Sequence, residues 1–320
     1  MNRRIFLGAS AGLIAASATR AATPTELLLG TSPPGGGFTP YGDAFAPTIN
    51  ARDVAVTVKP VFTKGSLENI PMLETGRLAL GLAGGEATFE ALTGLNRPAA
   101  ALKIIAPMYS SAGMFAVPGN SAIHAISDLK GKPVVFGAPG SSLVLQARYI
   151  LKGLGLDLDR DFKAILLARD DEAMAMLADG SAVALWGGGI GWPAFEDLAR
   201  SSTGARFVVP DAAETTQIVD RFSFLKRLSV PAGTYTGQDQ PIRSVGSWSV
   251  VLGRADMPDD VAFGLARAVH EGEAEMTRRV ASGRETTAAN TWIAAPRPEF
   301  IHPGVRHYLE EAGIKPPAVD

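Results

Sequence analysis

Apolar and polar positions fall into short blocks whose spacing changes from strand-like to helical and back. Residues 26–30 form a short apolar run, and after a glycine-rich stretch 43–50 is spaced as a helix. Residues 54–60 are valine-rich and alternating, which predicts a strand. Ser66 then opens a predicted helix over 67–74 as its cap, and Gly76 stops it. A buried-type strand over 78–83 ends at Gly84-Gly85; a helix over 87–92 and a strand over 103–108 follow.

The series then repeats. Val134, Val135 and Phe136 form a short strand that stops at Gly137, and a small-residue loop with Ser141 and Ser142 leads into a helix over 143–152. Strands over 163–167, 183–186 and 206–209 alternate with helices over 171–178, 193–200 and 212–227. Gly, Gln, Pro and Thr mark a connection at 233–243, a serine- and valine-rich strand covers 244–252, and the longest helix covers 256–279, with Pro258 in its first turn. A short helix over 306–313 closes the pattern. Strand and helix in alternation, twice over, predict an α/β fold of two halves, each a mainly parallel sheet flanked by helices.

Composition narrows the class. The 320 residues are 46% hydrophobic, enough for well-formed cores. The chain opens with Arg3-Arg4-Ile5-Phe6-Leu7, continues through small apolar residues to Ala18, and has no acidic residue before Glu26. That is the pattern of a signal peptide over 1–21, of twin-arginine type, cleaved within about 18–22. Its removal leaves 27 basic against 32 acidic residues, a formal charge of −5. No basic stripe with interleaved aromatics and no second hydrophobic segment is present, so nucleic-acid binding and membrane insertion are not expected. Cysteine is absent, which excludes disulfides and thiolate chemistry. His124, His270, His302 and His307 lack metal-ligand spacing, no Gly-x-Ser-x-Gly elbow occurs, and residues 187–192 match a dinucleotide fingerprint only superficially. No metal, cofactor or catalytic group is expected.

The stretch 128–142 is the most informative in isolation. A strand, a glycine-containing loop and a serine-capped helix start offer free backbone N–H groups to an anion, although an ordinary buried cap has the same appearance. Five blocks settle its context: 35–42; Thr63-Lys64-Gly65-Ser66-Leu67-Glu68-Asn69; 128–142; Val230-Pro231-Ala232-Gly233-Thr234-Tyr235; and His302-Pro303-Gly304. Together, in this order, they resemble the TAXI family of solute-binding proteins that serve TRAP transporters.

The resemblance implies a two-lobed, type II periplasmic-binding-protein fold with a hinge. Lobe 1 would comprise 24–117 and 242–320, and lobe 2 would comprise 118–241. It further implies a soluble, monomeric periplasmic receptor, not an enzyme, that delivers a small organic anion to TRAP permease subunits. A ligand-sensing subunit for a membrane histidine kinase is the alternative. In α/β lobes ligands sit beyond the C-terminal ends of parallel strands. Those loops, and the family pattern, select Gly36, Phe38, Thr39, Tyr41, Lys64, Ser66, Asn69, Gly85, Glu86, Tyr109, Gly140, Ser141, Ser142, Gln146, Trp186 and Gly188 as ligand-binding candidates.

The chain departs from the family at Phe38-Thr39, where relatives often have two tyrosines, and at Gly84-Gly85-Glu86, where they often have Gln-Ser-Asp. The expected ligand is therefore a carboxylate with a body larger or more apolar than that of glutamate. Lys64 is either a point charge for an anion or a solvated lysine. Glu86 either accepts from a ligand amine or caps a helix, and Trp186 and Trp192 either face the cleft or pack in the core.

Overall fold

The computed structural model describes residues 25–34, 36–52, 54–167 and 171–316. The expected export segment and Gly35 lie outside these residues.

In chain order the first elements are β1 (Thr25–Gly30), α1 (Phe38–Asn50), β2 (Val56–Val61), α2 (Ser66–Glu74), β3 (Leu80–Ala83), α3 (Gly85–Thr93) and β4 (Leu102–Pro118). There follow β5 (Pro133–Gly137), α4 (Ser142–Gly153), α5 (Leu158–Asp161), β6 (Lys163–Leu166), α6 (Asp171–Asp179), β7 (Ala184–Gly188), α7 (Pro193–Arg200), β8 (Ala205–Val208), α8 (Ala212–Arg221) and β9 (Lys226–Val230). The chain closes with β10 (Ile242–Arg254), α9 (Asp259–Arg279), α10 (Asn290–Ala294) and α11 (Pro303–Glu311).

The strands join in the order β2-β1-β3-β10-β4-β7-β5-β6, with β8 on β4 and β9 on β10. β1 runs parallel to β2 and β3, and β5 runs parallel to β6 and β7. Between these parallel sets lie β4 and β10, antiparallel to each other. β10 also pairs with β3 on one side, and β4 with β7 and β8 on the other.

Burial follows the same division. One apolar core gathers Leu29, Phe45, Ile70 and Leu80 with Val251, Leu265, Val305 and Leu309, so the last quarter of the chain packs back on the first. Further cores surround Phe115, Phe136, Ile150 and Trp186, and Met114, Leu185 and Phe195. Asn69 ties the first half together: fully buried on α2, its Nδ2 donates to the carbonyls of Gly30 at the end of β1, of Thr31 just after it and of Leu82 in β3. His302 caps α11, its Nδ1 accepting from the Gly304 N–H at 3.2 Å.

Several elements differ from the sequence expectation. α1 begins at Phe38 rather than residue 43, because Pro40 fits a first helical turn and does not break it. Gly65, not Ser66, occupies the cap position of α2, at a φ of 94° that suits glycine; Ser66 is already helical. β4 runs 17 residues, through Ser110 and Ser111, which resemble a loop in sequence. Glu285 stabilises that passage, accepting from the Ser110 N–H at 3.0 Å and its hydroxyl at 2.7 Å. Finally, the expected helix over 212–227 stops at Arg221, and β9 follows. Phe222 and Phe224 turn away there to pack on Tyr149, and Phe224 also stacks on Phe89.

Candidate ligand-binding cleft

Three helix starts converge where the two halves meet. The Gly84 N–H, just before α3, donates to the Ser66 hydroxyl at 3.1 Å, and that hydroxyl hydrogen-bonds the Ser142 hydroxyl at the start of α4. Ser141 caps α4, its Oγ accepting from the Val144 N–H. The N–H groups of Ser142 and Leu143 therefore have no acceptor within their helix, and the positive ends of α2, α3 and α4 point toward one place. Such a junction favours an anion.

The close approach depends on the glycines. A Cβ on Gly84 would lie 2.4 Å from the Ser142 Cβ, and one on Gly85 would lie 2.5 Å from the Ser247 Cβ. The volume freed by this glycine pair is thus filled by Ser142 and Ser247. It lets α3 press against α4 and β10, and it does not widen the ligand space as the sequence suggested.

Beside the junction lies a cavity of about 560 Å³, within the range of small-molecule sites. Of the expected residues, Gly36, Phe38, Lys64, Ser66, Glu86, Tyr109, Ser141, Ser142, Gln146 and Gly188 line it. The remaining six do not, each for a physical reason. Thr39 sits in the first turn of α1, where its hydroxyl donates to the Pro33 carbonyl at 2.9 Å and fixes the preceding loop. Tyr41 points into the core, its hydroxyl 2.9 Å from that of Thr286. Asn69 is the β1–β3 staple described above, and Gly85 is covered by Ser247. Gly140, at a φ of 76°, shapes the turn before α4. Trp186 is fully buried on Phe115, with its indole N–H donating to the Leu143 carbonyl at 2.9 Å. The cleft-facing tryptophan is Trp192, at the start of α7.

Ser247 and Ser249 also line the cavity and escaped selection. Two serines spaced two apart within the buried centre of β10 share one face, and that spacing was the available signal. Tyr109 and Ser111 share a face of β4 in the same way.

Among the described residues, charge in the cavity is sparse, with Lys64 and Glu86 the charged residues along its wall. Glu86 is 1% exposed, and burial pushes its carboxyl up to about 7. Ser247 and Gln146 lie close enough to pull it partly back, while its Oε1 has no hydrogen-bond donor. Burial likewise raises the Tyr109 hydroxyl and the Glu285 carboxyl, the latter offset in part by the Ser110 hydroxyl and N–H. Among the described residues, no cluster of three or more histidines or acidic residues is placed to hold a metal, and no helix is long and apolar enough to cross a membrane.

A family model described as the NMT1-like family matches residues 29–313. The chain belongs to the NMT1-like family. Solved structures similar to this NMT1-like chain include one from Bordetella bronchiseptica RB50, with a TM-score of 0.56 at 14% identity over 90% of this chain and 98% of the other. A protein of Methylobacillus flagellatus KT described as a periplasmic sulfonate-binding protein aligns with a TM-score of 0.53 at 13% identity, over 92% and 98% of the two chains. A binding protein component of an ABC phosphonate transporter from Pseudomonas aeruginosa aligns at 0.50 and 12% identity, over 81% and 79%. The expected α/β periplasmic-binding-protein fold is the fold of these structures. The matched family description does not name the TAXI class, and two of these three are named for ABC-type or sulfonate binding rather than for a TRAP system.

Proposed function

We propose that this NMT1-like chain is an exported, periplasmic solute receptor that encloses a small organic anion between lobes 24–117 with 242–320 and 118–241. It then presents the closed form to a membrane transporter. The observation that carries the reading is the meeting of α2, α3 and α4 starts, joined through Ser66 and Ser142, at the wall of the cavity. A carboxylate suits the free N–H groups of Ser142 and Leu143, and Lys64 adds positive charge at the same cavity. Phe38, Trp192 and Leu143 supply apolar surface for the body of the ligand. No step of bond making is assigned to the protein.

The ordered sequence blocks favour a TAXI-type receptor of a TRAP permease. The names carried by the sulfonate and phosphonate relatives favour a second reading, an ABC-type receptor for an oxyanion. Native mass spectrometry of the protein as purified, without refolding, tests the receptor reading. A retained small anion at one per chain is the expected result. Absence of any retained ligand, with no thermal stabilisation by a panel of carboxylates, sulfonates and phosphonates, would overturn it; ligand at about 100 times its Kd adds about 2.7 kcal/mol.

A further inference from the structure

Glu86 places a carboxyl where an anion receptor gains nothing from a negative charge. The residue is 1% exposed and stands in the first turn of α3, one of the helix starts that face the anion. A Cβ added to Gly84 would meet the Glu86 Oε2 at 3.8 Å and the Ser142 Cβ at 2.4 Å, so one carboxyl oxygen lies beside the backbone at which α3 meets α4. An ionised carboxylate there engages its own backbone N–H and draws on the positive helix end that otherwise serves the ligand. The surroundings suit the neutral acid instead. Ser247 on β10 and Gln146 on α4 hydrogen-bond the carboxyl, yet neither Glu86 Oε1 nor Gln146 Oε1 has a donor. The Gln146 Nε2 donates to the Ser111 carbonyl at 2.9 Å, which holds the amide oxygen as an acceptor. A proton on Glu86 supplies the donor that this buried cluster lacks.

We propose that Glu86 is a proton-operated gate on ligand capture: as the neutral acid it tolerates an anion at the α2–α3–α4 junction, and as the carboxylate it repels one. The protein then takes up a proton when it binds its ligand and loses affinity when Glu86 ionises. The inference rests on the receptor reading above and adds the regulation of that same site. The groups that act most strongly on the carboxyl include no cation. Glu90, one turn along α3, carries the same sign and accepts from the Tyr149 hydroxyl of α4 at 2.6 Å. On the β4 side stand Tyr109, whose hydroxyl burial raises, and Glu285, bonded to Ser110. Lys64 is exposed, and its backbone N–H, not its ammonium, reaches Glu68; Lys226 of β9 lines a small recess beside Gly85 and Ser247. Burial pushes the Glu86 carboxyl up to about 7, and a bound anion raises it further by like-charge repulsion. Affinity is therefore fully present below about 7 and is lost as pH rises past that value.

Two probes that stay ionised throughout, ethanesulfonate and phenylacetate, decide the matter. Isothermal titration of the full, ligand-stripped protein at about pH 6 and about pH 8.5 is expected to show affinity falling about tenfold or more at the higher value for a probe that binds. Titrations at about pH 7.5 in two buffers of different protonation heat should show net proton uptake on binding, a signal that a merely structural carboxyl would not give. Glu86→Gln should hold the affinity change to about threefold or less and abolish the uptake. An affinity that is independent of pH or rises with it, or an uptake that survives in Glu86→Gln, overturns the inference and leaves an anion receptor standing. If the variant fails to fold, the pH profile and proton uptake of the parent decide alone. Failure of both probes to bind at about pH 6 also overturns the inference, and the retained-ligand measurement then decides the receptor reading separately.

Discussion

Glu86→Gln makes a sharp prediction about stability as well as binding. In the folded chain burial raises the Glu86 carboxyl from 4.5 to about 7. Between those values the folded state holds a proton that the unfolded state has released. Stability therefore falls as pH rises through this window, and it levels off above about 7. At roughly 1.4 kcal/mol per tenfold step, the cost at alkaline pH is about 3 kcal/mol. Glutamine has nearly the same shape and never ionises. Urea unfolding of ligand-stripped protein at about pH 5 and about pH 8, followed by fluorescence and circular dichroism so that coincident transitions license a two-state treatment, gives the comparison. The variant should match the parent within about 1 kcal/mol at the lower pH and exceed it by about 3 kcal/mol at the higher. Other titrating groups, such as buried His302, whose pKa burial lowers, are common to both proteins and cancel in the difference. A constant gap between the two proteins at both pH values would refute the reasoning.

The two tryptophans at the second half should separate stability from binding. Trp186→Ala empties a fully buried position and is expected to cost about 3–5 kcal/mol of unfolding free energy, whereas Trp192→Ala should weaken ligand binding with a much smaller stability loss. Comparable effects of both on unfolding, read by urea titration, would contradict the assignment. Gly84→Ala should push α3 from α4 through its 2.4 Å encounter with Ser142, lowering affinity for any ligand and enlarging the radius of gyration in solution scattering. Unchanged affinity and scattering would show that the halves need not come so close.

Much of this molecule was legible where local chemistry and final structure agree. Ser141 caps α4 because a serine before an apolar helical run has one good use for its hydroxyl, and Val134–Phe136 form a strand because nothing nearby competes. The misses arise where a distant partner overrides local pattern. Ser110 and Ser111 read as a loop until Glu285, 175 residues away, satisfies the Ser110 N–H. Tyr41 looked like a cleft residue because the loop before it is rich in glycine. The helix starts three residues before Tyr41, however, and turns the ring toward Tyr109 and Phe45. Gly84 and Gly85 signalled open space, and only the folded chain shows Ser142 and Ser247 occupying it. The serines of β10 were hidden by the opposite effect: their strand was recognised, but which of its faces met the cavity depended on its antiparallel neighbour β4.

The long antiparallel pair β4 and β10 has a mechanical meaning. The backbone passes from one half to the other along these strands, and their mutual ladder extends from Leu102–Arg254 to Ala112–Gly246, interrupted by register shifts between Trp248 and Val250 and between Val251 and Leu252. A reorientation of the halves would accordingly be a change of twist spread along a hydrogen-bonded ribbon, stiffer than a pair of free linkers and softest at the shifted registers. Such a ribbon behaves as a torsion spring. Because Ser247 and Ser249 sit on it facing the cavity, a ligand that touches them presses on the spring itself.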